Sequence, residues 1–240
     1  MNSLFLRSVV LKRDKVENPH RYPFSLPVVR YLDKLDLHEP VTFFVGENGT
    51  GKSTLLEAIA IQYGFNPEGG SKNFQFSTYS SHSELSEALA LWKGVRTPTD
   101  GFFLRAESFY NVASEVDAMG LQKSYGGKSL HAQSHGESFL SLLLHRFRGN
   151  GLYLLDEPEA ALSPSRQLAL LARIHDLVEQ GSQFLIATHS PIVLGYPGAA
   201  IYAFEEDGLR RTSYEETEHY QLTKAFLNNP AAILRELFAE

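Results

Sequence analysis

One eight-residue segment, Gly46-Glu47-Asn48-Gly49-Thr50-Gly51-Lys52-Ser53, constrains this chain more than any other part of it. Its glycines allow the backbone to wrap around a phosphate and to direct N–H groups inward. A helix predicted over residues 53–63 adds the positive end of its dipole to the same anion. Because the apolar run Val41–Val45 precedes the segment, it lies between an expected strand and an expected helix. That is the context a phosphate-binding loop requires.

The pattern also assigns roles to individual residues of the loop. We expect Lys52 to reach the β- and γ-phosphates of a nucleoside triphosphate, and the Ser53 hydroxyl to ligate Mg²⁺. The other residues expected to bind the nucleotide are Gly46, Glu47, Asn48, Gly49, Thr50, Gly51 and Thr54.

A pair of acids follows the second strongly apolar run, Leu152–Leu155, in the sequence Asp156-Glu157-Pro158. Open α/β sheets bind ligands at the carboxyl ends of their strands, so both acids are expected at that edge. We interpret Asp156 as a Mg²⁺ ligand, directly or through water, and Glu157 as the residue that orients or deprotonates the attacking water. Adjacent side chains of a strand point to opposite faces, so the two acids are expected to act differently.

Strand patterns alternate with helical patterns along the chain, which predicts the α/β class with a mainly parallel sheet covered by helices on both faces. The predicted strands are residues 4–11, 41–45, 101–105, 151–155 and 183–187, with a closing hairpin at 199–204 and 209–214. The predicted helices are residues 53–63, 83–92, 108–118, 137–147, 165–180 and 225–238, the last interrupted at Pro230.

The domain organisation expected from these patterns is one domain over residues 1–240. Its core would comprise about 1–64 and 133–240. A small inserted lobe of about 65–150, rich in Ser, Gly, Asn and Pro at its start, would carry the segment described next.

The motifs together resemble the ABC-type P-loop ATPase superfamily over most of residues 41–192. The sequences of the segments DEPEAALSP and ATHSP are more similar to its SMC/RecF-like and OLD-like (AAA family) branch than to transporter subunits. Gln133–Glu137 resembles the family's signature segment, in which a Ser and a Gly open a helix. The resemblance implies that Ser134, Gly136 and Glu137 contact the γ-phosphate of ATP bound to a partner subunit. His135 replaces the first of two usual glycines, and Glu137 the usual Gln.

Three further segments match the family in order. Glu159–Ser163 resembles the D-loop, with Ser163 where Asp is usual. Ala187–Pro191 resembles the switch segment, in which His189 would contact the γ-phosphate and the attacking water. Glu107 stands where the family has the Gln of its Gln loop, and the resemblance implies a metal contact for it.

The resemblance implies ATP and Mg²⁺ as cofactors, ATP hydrolysis, and a head-to-tail homodimer that forms on ATP binding. Arg13, Tyr22 or Phe24 could stack on the adenine. Three functions stay open: a stand-alone ATPase coupled to an unknown protein partner or a nucleic-acid process, the nucleotide-binding subunit of a membrane transporter, and a non-hydrolysing ATP-gated binding module.

The composition excludes some kinds of site and argues against nucleic-acid binding and membrane insertion. The 240 residues include no cysteine, which excludes disulfides, Fe–S clusters and thiolate zinc sites. A net charge of −6 lacks the basic surplus of an electrostatic nucleic-acid binder, although a local patch is compatible with it. Since no apolar stretch approaches the length of a membrane span, we expect no membrane insertion and a cytoplasmic protein.

Overall fold

The structure, a computed structural model, describes residues 4–71, 84–105, 109–118, 120, 127 and 129–239. Its strands are β1 (Leu6–Leu11), β2 (Lys34–Asp36), β3 (Val41–Val45), β4 (Leu89–Lys93), β5 (Asp100–Arg105), β6 (Gly151–Asp156), β7 (Gln183–Ala187), β8 (Ala200–Glu205) and β9 (Gly208–Thr212). Its helices are α1 (Pro27–Arg30), α2 (Lys52–Tyr63), α3 (Leu85–Ala88), α4 (Phe109–Ala118), α5 (His135–His145), α6 (Pro164–Glu179), α7 (Pro191–Leu194), α8 (Glu218–Asn228) and α9 (Pro230–Leu237).

The main sheet has six strands in the order β5-β6-β7-β3-β8-β9. Every neighbouring pair from β5 to β8 is parallel, and β9 closes the edge as the antiparallel arm of a hairpin. The predicted α/β class and mainly parallel sheet are therefore confirmed. The strands β3, β6 and β7 are buried along their whole length, as expected for a parallel sheet covered on both faces.

Side-chain alternation along these strands supplies two separate cores. Phe44 and Leu154 belong to the cluster shared with α2 and the small sheet, whereas Phe43 and Leu155 belong to the cluster on the opposite face. Successive side chains of a strand point to opposite faces, so one apolar run serves both clusters. Because both faces are filled with side chains, only the ends of the strands are left to build a site.

A second sheet, with the order β2-β1-β4, is antiparallel throughout and lies on the α2 side. Here the sequence-based prediction of a helix over residues 83–92 is wrong beyond Ala88. The chain turns extended at Leu89, and Leu89–Lys93 pairs with β1 through contacts such as Leu11 with Leu89 and Val9 with Leu91. The backbone N–H and C=O groups of Leu89–Lys93 are satisfied by hydrogen bonds to the open edge of β1. Helical propensity reflects only the local sequence and cannot predict this pairing.

The position of β4 and β5 also bears on the predicted lobe. Both strands fall within residues 65–150, yet β4 pairs with β1 and β5 pairs with β6. This pairing makes both strands part of the sheets of the core. The division of the rest of that segment from the core stays a prediction.

At the C-terminal end, the expected interruption at Pro230 divides two helices. The helix α8 ends before it, and Asn229 caps α9 by accepting a hydrogen bond from the Ala232 N–H. Among the described residues, no helix is long and apolar enough to cross a membrane.

Candidate active site

Three adjacent strands end at the same level of the main sheet, and each is followed by one of the predicted motifs. The strand β3 runs into the phosphate-binding loop (residues 46–53), β6 ends at Asp156, and β7 runs into the switch segment (residues 187–191). Ala187 pairs with Phe44 on one side and with Asp156 on the other, so the three ends are in register. The topology thus brings together motifs that are more than a hundred residues apart in sequence.

The phosphate-binding loop depends on glycine at two tight positions. Gly46 has φ +143°, and a Cβ atom there would lie 2.9 Å from the Phe204 carbonyl oxygen. Gly51 has φ +99°, and its Cβ would lie 3.0 Å from side-chain atoms of Leu26 and Val28. The loop is therefore held between β8 and the N-terminal end of α1, in a conformation that residues with a Cβ rarely adopt.

Lys52 begins α2 and is only 4% exposed. Its Nζ donates hydrogen bonds of 2.8 Å to the carbonyl oxygens of Gly46 and Glu47, so its ammonium group closes the loop from within. Burial lowers the pKa of Lys52, while the charges of Glu157 and Asp156 oppose that shift. Those carboxylates therefore lie on the Lys52 side of the sheet, where the sequence-based interpretation requires them.

The structure brings the two predicted metal ligands Ser53 and Asp156 into direct contact. The Ser53 hydroxyl donates a 2.9 Å hydrogen bond to Asp156 Oδ1, and Asp156 is 7% exposed. Hydroxyl and carboxylate oxygens suit Mg²⁺, which is commonly held by a few protein oxygens together with substrate phosphates and water. The pair therefore fits the metal. The third predicted ligand, Glu107, lies outside the described residues.

Glu157 has left the strand and adopts the left-handed conformation, with φ +49°. Its N–H donates to the Ala187 carbonyl at 2.9 Å, which ties the turn to the end of β7. The direction of its side chain is set by this turn, because β6 ends at Asp156. The expectation that Asp156 and Glu157 point to opposite faces of one strand therefore does not hold for Glu157. Its Oε1 lies 3.7 Å from Nε2 of His189.

His189, the predicted switch histidine, also contacts two other residues. Its backbone N–H donates a 2.6 Å hydrogen bond to Glu159 Oε1, and its ring Nδ1 lies 3.0 Å from Nε2 of His219. Its own Nε2 is shielded from solvent and makes no hydrogen bond within the described part of the chain. Burial lowers the pKa of His189, assisted by the charges of Lys52 and His219 and opposed by Glu157.

Two residues of this cluster were missed by the sequence-based assignment. The sequence indicates for Glu159 only a place in the D-loop, whereas in the structure burial raises the pKa of its carboxyl group. His219 lies outside every motif, in the first turn of α8. A helix cap at Thr217 could have been read from the sequence, but nothing in it indicates that this helix lies against the switch segment.

The signature segment (residues 133–137) forms the N-terminus of α5, where Ser134 and Glu137 make a reciprocal capping box. The Ser134 hydroxyl donates to Glu137 Oε2 at 2.6 Å, so this carboxylate is already engaged in its own helix. A Cβ at Gly136 would lie 2.6 Å from the Ala161 carbonyl oxygen, which shows how closely α5 approaches the D-loop. Ser134 and Glu137 are exposed.

Of the three residues considered for adenine stacking, Tyr22 is the one placed beside the loop. Its hydroxyl lies 3.1 Å from the Thr54 hydroxyl, and 63% of Tyr22 is exposed. Phe24 is buried in the core. Arg13 is engaged by Asp33 and by two backbone carbonyls.

Comparison with known families gives two partial matches. Residues 134–195, which carry the signature, acid-pair and switch motifs, match the family described as "AAA domain, putative AbiEii toxin, Type IV TA system". Residues 28–95, around the phosphate-binding loop, match a second family described as "AAA domain".

Among curated proteins, the chain is 30% identical over 179 residues to the cytochrome c biogenesis ATP-binding export protein CcmA of Paracoccus denitrificans, covering 70% of this chain and 79% of that protein. It is 24% identical to the ABC transporter G family members STR2 of Medicago truncatula and 22 of Arabidopsis thaliana, over 63% of this chain in each case. It spans only 24% and 23% of those two proteins.

Among solved structures, the chain is similar to an ATP-binding cassette of an ABC transporter, with TM-score 0.44 and 19% identity, covering 85% of this chain and 91% of that one. It is also similar to the SMC head domain from Thermotoga maritima, with TM-score 0.45 and 15% identity, covering 88% and 99%. The extent of the CcmA match, together with the ordered motifs at one sheet edge, shows that this chain belongs to the ABC-type P-loop ATPase superfamily, whose members bind ATP with Mg²⁺ and hydrolyse it.

Proposed function

We propose that the chain works as an ATP-gated head-to-tail homodimer. Each ATP would be bound between the phosphate-binding loop of one subunit and Ser134 of the other. The observation that carries this proposal is the contrast between two parts of the chain. Lys52, Asp156 and His189 converge at the carboxyl ends of the strands, whereas Ser134 is exposed at the N-terminus of α5, a helix that approaches the D-loop at Gly136. A second subunit would supply the signature segment across the ATP.

Within each site, the residues of the sheet edge would divide the chemistry among them. Lys52 offsets the charge of the β- and γ-phosphates, and Ser53 and Asp156 hold Mg²⁺, which when bound supplies further charge neutralisation. Glu157 accepts a proton from the attacking water as its oxygen bonds to the γ-phosphorus. The bond from that phosphorus to the bridging oxygen then breaks, and ADP and phosphate are released.

ATP would favour the closed dimer because it contacts both subunits only in that state, and hydrolysis would return the open state. This cycle would drive a partner protein or a nucleic-acid process. The net charge of −6 gives no support to the nucleic-acid alternative. The partner is to be sought with the Glu157→Gln protein, which should retain the closed dimer during a pull-down with ATP.

The test of the composite site uses two variants that are each inactive alone. Lys52→Ala removes the loop lysine, and Ser134→Asp keeps a helix cap but places a negative charge toward phosphate. In a mixed dimer, one of the two sites combines an intact Lys52 with an intact Ser134. An equal mixture should therefore recover about a quarter of the wild-type ATP turnover, as expected for random pairing into symmetric dimers.

Recovery in the mixture, absent from either variant alone, supports the head-to-tail arrangement. If Ser134 served the site of its own chain, neither variant would contain a complete set and mixing would restore nothing. A preparation that carries both substitutions in one chain, mixed with the Lys52→Ala protein, is the matched control and should stay inactive.

A second function, the nucleotide-binding subunit of a membrane transporter, is favoured by the 30% identity to an ATP-binding export protein. The two functions differ in what the trapped dimer binds. Co-purification of a multi-span membrane protein with Glu157→Gln in ATP supports the transporter subunit. Co-purification of a protein without membrane spans supports the stand-alone ATPase.

A further inference from the structure

We propose that His219 is a positioning residue for hydrolysis, which holds the His189 ring with its Nε2–H directed toward Glu157 and the reacting phosphate. This inference rests on the proposed function and on the role that the family resemblance implies for His189, which is contact with the γ-phosphate and the attacking water. It adds to the site a residue from α8, far beyond the motifs that define the family.

The first observation is the contact between the two rings. Nδ1 of His189 lies 3.0 Å from Nε2 of His219, and the ring planes are inclined at 55°. A neutral imidazole has one N–H and one acceptor nitrogen, so a hydrogen bond at this distance needs exactly one of the facing nitrogens protonated. The contact therefore allows two arrangements, in which the shared proton is carried either by Nδ1 of His189 or by Nε2 of His219.

The second observation, on the opposite side of the His189 ring, decides between the two arrangements. Nε2 of His189 lies 3.7 Å from the Glu157 carboxylate. A lone pair on Nε2 would be repelled by that charge, whereas an N–H there is attracted by it. Nε2 therefore carries the proton, Nδ1 accepts, and the donor is the Nε2–H of His219. The terminal phosphate of ATP, also an anion, would favour the same arrangement.

The charges around the pair are consistent with two neutral rings. Burial lowers the pKa of both histidines, and the nearby Lys52 ammonium adds to the effect on each. Glu157 opposes the shift at His189, and Glu218 opposes it at His219. A doubly protonated His189 would leave no acceptor for His219, so low pKa values preserve the hydrogen bond.

The third observation is that His219 is anchored to the switch segment by more than its own ring. The Tyr214 hydroxyl donates a 2.8 Å hydrogen bond to the Pro191 carbonyl oxygen, two residues beyond His189. The Thr217 side chain, nearly buried, caps α8 by accepting from the Tyr220 N–H, and the Tyr214 and Tyr220 rings pack 4.6 Å apart. The first turn of α8 and the switch segment are thus one connected unit.

The experiment compares ATP turnover of His219→Ala, His219→Gln and Leu222→Ala. Loss of the orienting donor should lower kcat about tenfold with KM for ATP unchanged, because nucleotide binding does not need the hydrogen bond. Gln places an N–H donor near the position of the lost Nε2–H and should recover most of kcat. Leu222 is exposed on the same helix and takes no part in the hydrogen bond between the two rings, so Leu222→Ala should match the wild type.

Two additional measurements separate this inference from the proposed function. His189→Ala should lower kcat at least as much as His219→Ala, and the double variant should lose no more than His189→Ala alone. ¹⁵N chemical shifts of the wild-type imidazoles should show His189 protonated at Nε2, with a tautomer mixture in His219→Ala.

Unchanged turnover in His189→Ala would overturn the proposed role of the switch histidine itself. A normal kcat in His219→Ala, with His189→Ala impaired, would overturn the positioning role alone. An equal loss in His219→Ala and His219→Gln would show that the helix packing, and not the donated hydrogen bond, is what matters, and would likewise overturn it.

Discussion

The two halves of the proposed ATP site are built differently. One half lies at the carboxyl ends of β3, β6 and β7, here called the sheet edge, and the other at the N-terminus of α5. At the sheet edge, Lys52 and Asp156 are almost completely buried and hydrogen-bonded before any ligand is considered. At α5, Ser134 and Glu137 are exposed, and their hydrogen bonds serve to cap their own helix.

The difference shows where each half obtains its geometry. Residues of the sheet edge are fixed by strand register and by one another, so substitutions there should act on every ATP the chain binds. Within the ranges that the structure describes, Ser134 is hydrogen-bonded only within the cap of its own helix and touches none of the groups at the ends of the strands, so its effect should depend on a second molecule. The following substitutions test that contrast.

Lys52→Ala should have the largest effect. The side chain closes the loop through two carbonyl oxygens and is proposed to offset phosphate charge, so both ATP binding and turnover should be lost, with kcat/KM falling about 10³-fold. Steady-state ATPase assays and nucleotide titration measure this, with the exposed Lys12→Ala as control. Near-normal turnover in Lys52→Ala would contradict the assignment of the loop.

Glu157→Gln should lower kcat roughly 10²–10³-fold while ATP binding is retained, because only the proton acceptor is removed. Gln has nearly the same shape and keeps the same backbone strain, so the melting temperature should not change. Size-exclusion chromatography with ATP and Mg²⁺ should show a stable dimer. A strictly monomeric profile would contradict gating by ATP. Glu206→Gln, an exposed acid on the β8–β9 turn, serves as the matched control.

Ser134→Ala should have the smallest effect, a loss of about tenfold in turnover with ATP binding to the isolated subunit unchanged. Part of any loss could arise from the cap, which contributes about 1 kcal/mol to helix stability. Ser134→Asp restores a cap but not the proposed phosphate contact. Recovery of the melting temperature without recovery of turnover supports the contact, whereas recovery of both would leave Ser134 with a capping role only.

Much of this architecture could be predicted from the sequence because its motifs lie at strand ends. The run Val41–Val45 was predicted with its observed bounds, and the approach of Ser53 to Asp156 follows from two buried strands in one parallel sheet. Local patterns suffice in such cases, since each strand end needs only its own apolar run and the general rule for ligand sites in parallel sheets.

The parts that could not be predicted depend on contacts between segments distant in sequence. The strand Leu89–Lys93 follows a helical turn and becomes extended only because β1 offers an edge to pair with. His219 reaches His189 because α8 packs against the segment after β7, to which Tyr214 is also hydrogen-bonded. Neither contact corresponds to a periodic or compositional pattern in the sequence, so neither can be predicted from its own segment alone.

The left-handed backbone at Glu157 has a consequence for how this chain can change over time. Any residue with a Cβ at that position costs about 1 kcal/mol or more relative to glycine. Glycine would therefore relieve this backbone strain while removing the proposed proton acceptor. Selection for thermal stability without selection for ATP turnover should favour glycine at position 157. The residue found there in a related sequence would therefore indicate whether ATP turnover is still under selection.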